Sequence, residues 1–286
     1  MSLKEFRFDG EKKLVLRQMP TDAGDLKGKK AELIRRTEEN IGRAAELQEK
    51  LYASRKEGLV FAIQARDAAG KDSLIKKVFC GLNPAALQVH SFKTPNATEL
   101  SHDYLWRISA ALPPRGTIGI FNRSQYEDVL TVRVHHMEQG YRLAPRCLTE
   151  DFFQRRYAQL RNWEEYLWEN GYRMVKILLH VSREEQRKRF MERIEREEKH
   201  WKLNTGDMKE RAAWAAYDEA FEDAVNATGT PHSPWYVIPA DNKWYTRYLV
   251  SEVLVHTLEE MHPAWPELDP EEAARIPQMV ADLQKD

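Results

Sequence analysis

Short apolar runs alternate with amphipathic stretches along most of this chain. The runs LVFAIQ (59–64), LQVHSF (87–92), TIGIF (117–121), RMVKILLHV (173–181) and WYVIP (235–239) are mostly too continuous for half-exposed strands. They predict strands of a sheet covered on both faces. Between them, apolar residues recur at helical spacing. Ile34, Ile41, Ala44, Leu47 and Leu51 predict an N-terminal helix that Gly58 stops, after an extended leading segment. Thr149 is placed to cap a helix over EDFFQRRYAQLRNWEEYLWEN that ends at Gly171. Ser182 and Glu185 have the spacing of a capping box for REEQRKRFMERIEREEKH, and Asp207 with Glu210 offers a start for a helix carrying Trp214, Tyr217 and Phe221. Strands alternating with helices predict a parallel α/β sheet. With no internal repeat or low-complexity linker, residues 1–286 read as a single domain: an N-terminal extension and helix over 1–57, and a charged segment from about 183 to 210 that projects as a lid.

Composition narrows what such a fold can do. The chain has 286 residues, 44 Lys or Arg and 45 Asp or Glu, so its net charge is −1 although 31% of residues are charged. A general nucleic-acid binder carries a clear basic excess, which is missing here. Any polyanion site must come from local clustering. No apolar run reaches the roughly 18 residues of a membrane span, and the first residues, MSLKEFRFDGEKK, have no apolar core of a signal peptide. The two cysteines, Cys80 and Cys147, form no C-x-x-C pair, and a cytoplasmic protein with reduced thiols is expected.

Chemistry concentrates in QARDAAGKDS, residues 64–73. Gly70 and Lys71 match the end of the G-x-x-x-x-G-K-[ST] phosphate-binding loop, but Ala65 stands at the first glycine and Asp72 at the metal-binding hydroxyl. The pair still follows a buried strand and opens a helix. The backbone N–H groups around Ala68, Ala69 and Gly70 can therefore cradle an anion, and Lys71 can reach a phosphate oxygen. Asp67 inside that cradle would repel phosphate unless a cation bridges them. Magnesium, which takes one or two carboxylates plus phosphate oxygens and water, fits Asp67 as ligand, although a turn-capping aspartate explains it too. Asp72 at the helix start favours the dipole and reads as structural.

The strand ending at Phe121 delivers Asn122, Arg123, Glu127 and Asp128 to the carboxyl edge of the sheet, where ligands of parallel sheets bind. Arg123 can neutralise a transferring phosphoryl group, and Glu127 or Asp128 can supply the carboxylate that the strand tip lacks. A capping box from Ser124 to Glu127 is the structural alternative. In the lid segment, Arg189, Arg193 and Arg196 share one helical face, with Glu185–Arg189 and Glu192–Arg196 as i,i+4 pairs. Arg183 lies in the first helical turn, where the dipole disfavours a cation, which points to another use. His135 and His136 are adjacent and make a poor metal pair.

QARDAAGKDSLIKKVFCGLNP, SFKTPNATELSHDYLWR, GTIGIFNRSQYEDVLTVRVH, KHWKLNTGDMKERAAWAAYDEA and WYVIPADNKWYTR occur in the order found in family-2 polyphosphate kinases, and the resemblance runs from about Leu59 to Arg247. It implies a three-layer P-loop kinase-like α/β/α fold with a helical lid. It implies phosphoryl transfer between inorganic polyphosphate and AMP, ADP or ATP with Mg²⁺, Mn²⁺ being the substitute, in a homo-oligomer (dimer or tetramer). By position, Asp67 and Lys71 match the family's loop aspartate and lysine, Arg123 the arginine after the second strand, and Arg183 the arginine that opens the lid. Asp67 and Glu127 become the metal carboxylates. Lys76, Lys77, Lys93 and Arg187 join Asn122, Asp72 and Asp128 as phosphate or nucleotide contacts. Many members carry aspartate at the Asn122 position and asparagine at that of Glu127; FNRSxYEDV resembles the subgroup that accepts AMP as well as ADP. An ATP-dependent nucleoside monophosphate kinase and a non-catalytic phosphate-binding protein are the alternatives.

Overall fold

The computed structural model describes residues 3–285. One six-stranded sheet has the order β1-β6-β5-β2-β4-β3. Its strands are β1 (Arg7–Phe8), β2 (Gly58–Ala65), β3 (Leu87–Ser91), β4 (Ile118–Asn122), β5 (Tyr172–His180) and β6 (Trp235–Pro239). Each predicted run becomes one of β2 to β6, and these pair in parallel. The exception was not foreseen. The N-terminal extension adds β1 antiparallel to β6, with Arg7 opposite Tyr236, and buries Phe6, Phe8, Leu14 and Leu16.

Eight longer helical segments matter here: α1 (Lys30–Ser54), α2 (Lys71–Val78), α3 (Phe152–Glu169), α4 (Arg183–Glu195), α5 (Asp207–Ala212), α6 (Trp214–Thr228), α7 (Lys243–Glu260) and α8 (Pro270–Leu283). Side chains alternate across the pleat of β2, so Leu59, Phe61 and Ile63 pack beneath α1, α2 and α7 while Val60 faces α3. Leu178 and Val237 pack with α3 and α6 on that second face. The result is a three-layer α/β/α molecule. Strand order reverses on either side of β2, which puts the crevice at its carboxyl end, directly above the 64–73 segment.

Local details correct the sequence reading. The buried stripe of α1 is Leu33, Thr37, Ala44, Leu47 and Leu51, whereas Ile34 is exposed on the flank. Helix α1 ends on Arg55, whose φ of 52° is left-handed, and not on Gly58. Gly58 instead opens β2 under the Tyr172 ring, where a Cβ would lie 2.6 Å from ring carbons. Thr149 does not cap α3: its carbonyl accepts from Phe152 N–H at 2.9 Å and its hydroxyl turns to the Asp151 side chain. The helix expected from Asp207 through Phe221 breaks at Ala213 into α5 and α6. Ser182 does cap α4, accepting from Glu185 N–H at 3.0 Å, but the Glu185 carboxylate goes to Arg189.

Candidate active site

The loop after β2 keeps its shape through two left-handed residues, Ala68 (φ 60°) and Gly70 (φ 110°). A side chain at position 70 would be strained by that φ, which is why glycine stands there. Ala65, by contrast, is the last residue of β2 and pairs with Leu179. The departure at the first glycine therefore falls within regular strand. Gly70 O accepts from Leu74 N–H at 3.0 Å, so the preceding N–H groups of α2 have no partner within the helix.

Lys71 is buried at the base of this cradle, and its Nζ donates to Ala65 O at 3.0 Å. Burial, with nearby Arg123 adding to it, pushes its pKa down to about 8, against the pull of Asp67, Glu127 and Asp72. Arg123 follows β4 with a left-handed φ of 65°, and its N–H donates to Ile63 O at 3.1 Å on the neighbouring strand. Its guanidinium reaches Asp67 Oδ1 at 2.8 Å and Glu127 Oε2 at 3.2 Å. A strained non-glycine residue at a strand tip that holds two carboxylates is the kind of backbone outlier that clusters at working sites.

The carboxylate expected from the second strand tip is thus Glu127. The alternative of a Ser124 capping box is not formed. Ser124 Oγ accepts from Tyr126 N–H at 3.3 Å, while Glu127 turns to Arg123 and to Thr131 Oγ1 at 2.7 Å. The Gln64 carboxamide lies behind it: in the orientation satisfying both ends, its NH₂ donates to Glu127 Oε1 at 2.8 Å and its oxygen accepts from Ser124 N–H at 3.0 Å.

A family model for polyphosphate kinase 2 matches residues 27–266. The chain belongs to the polyphosphate kinase 2 family. Curated relatives include an ADP-polyphosphate phosphotransferase of Rhodopseudomonas palustris, 42% identical over 99% of this chain and 98% of that protein. An AMP/ADP-polyphosphate phosphotransferase of Meiothermus ruber is 39% identical over 93% of this chain and 96% of its own length. Among solved structures, polyphosphate kinase 2 from Arthrobacter aurescens TC1 superposes with a TM-score of 0.88 at 36% identity, covering 98% of this chain and 97% of that one.

In this family member the sequence-predicted residues divide into groups. Asp67, Lys71, Arg123 and Glu127 converge around the cradle formed by Ala68, Ala69 and Gly70. Asn122 stands at its edge, donating to Asp72 Oδ1 at 3.0 Å and Ser91 Oγ at 3.4 Å. Asp72, expected only to favour the dipole, also pairs with Lys202 Nζ at 3.3 Å from the segment after α4. Burial would raise its pKa, but Asn122, Lys202 and Lys71 outweigh that and hold it low. Lys93, just past β3, is exposed. So are Lys76 and Lys77, in the last turn of α2. Arg183 is exposed at the start of α4, and Arg187 pairs with Glu184 at 3.0 Å. Asp128 points away from the cradle into a buried cluster, with Arg156 Nε at 2.8 Å and Tyr141 Oη at 2.7 Å.

Several residues that shape the site were not marked as such by sequence. Arg189 is buried, and its guanidinium donates to Ala68 O and Ala69 O of the loop, to Ala240 O and Asp241 O, and to Glu185. Gln186 donates to Asp67 O at 2.9 Å. Arg66 lies over the Trp214 ring and pairs with Asp218 at 2.7 Å, tying the loop to α6. Thr131 supports Glu127 from behind. The i,i+4 spacing of Glu185 and Arg189 was legible, but nothing local says that the arginine's remaining donors reach the loop.

Among the described residues, no set of three or more His, Cys, Asp or Glu side chains gathers around one point. Magnesium needs fewer protein ligands, because phosphate oxygens and waters complete its octahedron. Asp67 meets that requirement: it lies in the loop between the cradle residues and Arg123, which holds Oδ1 at 2.8 Å, and its other oxygen has no hydrogen bond among the described residues. Also among the described residues, no helix is long and apolar enough to cross a membrane.

Proposed function

We propose that this chain transfers the terminal phosphoryl group of polyphosphate to AMP and ADP, and in the reverse direction from ATP. The carrying observation is Arg123 held between Asp67 of the loop and Glu127, beside a buried Lys71, in a chain matched by the polyphosphate kinase 2 family over residues 27–266. In the reaction, a nucleotide phosphate oxygen attacks the terminal phosphorus in line, the P–O bond to the chain breaks, and the shortened chain leaves with the electron pair. No covalent enzyme intermediate is required. Lys71 and Arg123 offset charge developing on the equatorial oxygens, while the α2 N–H groups hold the donor end. Asp67, with Glu127 beside it, would hold Mg²⁺ or, in substitution, Mn²⁺, which supplies charge neutralisation between neighbouring phosphates. Arg183, Arg187, Lys76, Lys77 and Lys93 are exposed cations suited to a long anion, and the segment 183–210 serves as the lid of a single domain. A cytoplasmic homo-oligomer (dimer or tetramer) is the assembly proposed.

Glu127 sets acceptor choice in this reading, with the FNRSxYEDV segment in support; of the two full-length relatives, the M. ruber protein is named for AMP and ADP and the R. palustris protein for ADP. Incubation with Mg²⁺, AMP or ADP, and either polyphosphate or ATP, followed by chromatography of the nucleotides, tests the proposal. Products should form from polyphosphate with both acceptors. Transfer from ATP alone would leave a nucleoside monophosphate kinase, and transfer from neither a phosphate-binding protein.

A further inference from the structure

Glu127 ends a hydrogen-bonded chain that leads away from the cradle into the helices behind it. Thr131 Oγ1 donates to Glu127 Oε2 at 2.7 Å, and Tyr217 Oη lies 3.3 Å from the same threonine oxygen. The Tyr217 hydroxyl also contacts Glu210 Oε2, and Glu210 Oε1 pairs with His135 Nε2 at 2.8 Å. Glu210 sits on α5, Tyr217 on α6, and Thr131 and His135 on the turns after β4.

Counting protons gives the chain a direction. Thr131 has one hydroxyl proton, and the Glu127 carboxylate takes it, so threonine can only accept from Tyr217. Tyr217 also has one proton, shared unequally: its shorter contact gives the main share to Glu210, and a weaker branch reaches Thr131 at 3.3 Å. Burial, with Glu210 against it, raises the Tyr217 pKa, so the phenol stays protonated across the neutral range. Arg123, Thr131 and Gln64 together occupy both Glu127 oxygens and fix the plane of its carboxylate.

We propose that Thr131 and Tyr217 are positioning residues for Glu127, and that Glu210 extends their chain to α5, so that a hydroxyl pair behind Glu127 sets how well the enzyme uses AMP. The idea rests on the reading that Glu127 serves acceptor choice. A carboxylate turned by a fraction of an ångström loses alignment with the acceptor phosphate, and misplacements near 1 Å cost about a hundredfold in rate.

Variants with and without Glu127 provide the test, using steady-state kinetics with polyphosphate and Mg²⁺. Thr131→Val keeps the threonine shape and removes the hydroxyl; its kcat with AMP should fall roughly tenfold with KM for polyphosphate unchanged. Thr131→Ser should retain activity within about twofold, and Tyr217→Phe, which keeps the ring packed near His135 at 6.2 Å, should fall several-fold. In a Glu127→Asn background, neither Thr131→Val nor Tyr217→Phe should lower kcat further. Equal penalties in both backgrounds, a serine variant as poor as valine, or a valine variant with unaltered kcat would each overturn the proposal. Glu127→Asn affecting AMP and ADP equally would remove the acceptor-choice reading, while non-additivity with Thr131→Val would still support positioning.

Discussion

Asp67 and Glu127 are two acids in a place built for anions, and Arg123 makes that arrangement tolerable by lying between them. Its fork of donors spans both carboxylates, which a lysine point charge cannot do. Arg123→Lys should therefore lower kcat by about a hundredfold or more while shifting the melting temperature little, because the residue is partly exposed. A melting temperature that collapses with activity would make it a structural arginine. Lys71 gives a pH signature. Because its free-protein pKa is lowered to about 8, kcat/KM should fall about tenfold per pH unit above that value. The stability effect has the opposite sign: the unfolded chain keeps its lysine proton to higher pH, so the cost of the buried charge is present below about 8 and is relieved as pH rises towards the ordinary lysine value. A kcat/KM profile flat to pH 9.5 would contradict this role. Asp67, Lys71, Arg123 and Glu127 were legible in the sequence, since polar residues straight after a buried strand must stand at the sheet edge. Asp128 was not, because the next position of a tight turn points elsewhere and its partners Arg156 and Tyr141 are distant in sequence.

Helix α4 ties the 183–210 segment to the phosphate loop through Gln186 and Arg189. The sequence presents it as a solvated, self-paired helix, and Glu192–Arg196 at 3.2 Å is such a pair. Arg189 differs because its guanidinium satisfies four carbonyls from two loops that only the fold brings together. Arg189→Ala leaves those carbonyls buried, and denaturant unfolding should register a loss of roughly 3 kcal/mol together with weaker phosphate binding. A loss under 1 kcal/mol would mean that the loop keeps its shape unaided. In the sheet, Gly58→Ala drives a methyl into the Tyr172 ring and should cost roughly 1–3 kcal/mol, whereas exposed Ile34→Ala should stay within about 0.5 kcal/mol. Equal costs would invert the burial assigned to α1 and β2. Element types came from periodicity; Ala44, Leu47 and Leu51 of the α1 stripe are buried as expected, and only its N-terminal end was read one residue off, because Leu33 and Ile34 fit helical spacing equally well. β1, two residues long, has no periodicity to read.

At the scale of the whole molecule, five parallel strands with helices on both faces put every proposed reacting group on one edge, and near-neutral net charge leaves polyanion binding to local cations. Binding of polyphosphate should weaken markedly between 50 and 300 mM salt, roughly the range over which the screening length shrinks from about 14 to 6 Å. A parallel sheet with a phosphate cradle at the carboxyl edge of one strand was expected from the alternation of runs and helices; the strand order was not, and neither was the donor's identity, since a cradle with Lys71 and Arg123 fits any terminal phosphate. This cradle is proposed to move the terminal phosphoryl of polyphosphate to a nucleotide. Phosphorus NMR of the protein with Mg²⁺, AMP and polyphosphate tests it most directly. The β-phosphate signal of ADP should appear as polyphosphate shortens, and Lys71→Ala, still folded, should slow this by orders of magnitude. An unchanged AMP signal with the wild-type protein, or equal rates in Lys71→Ala, would contradict it.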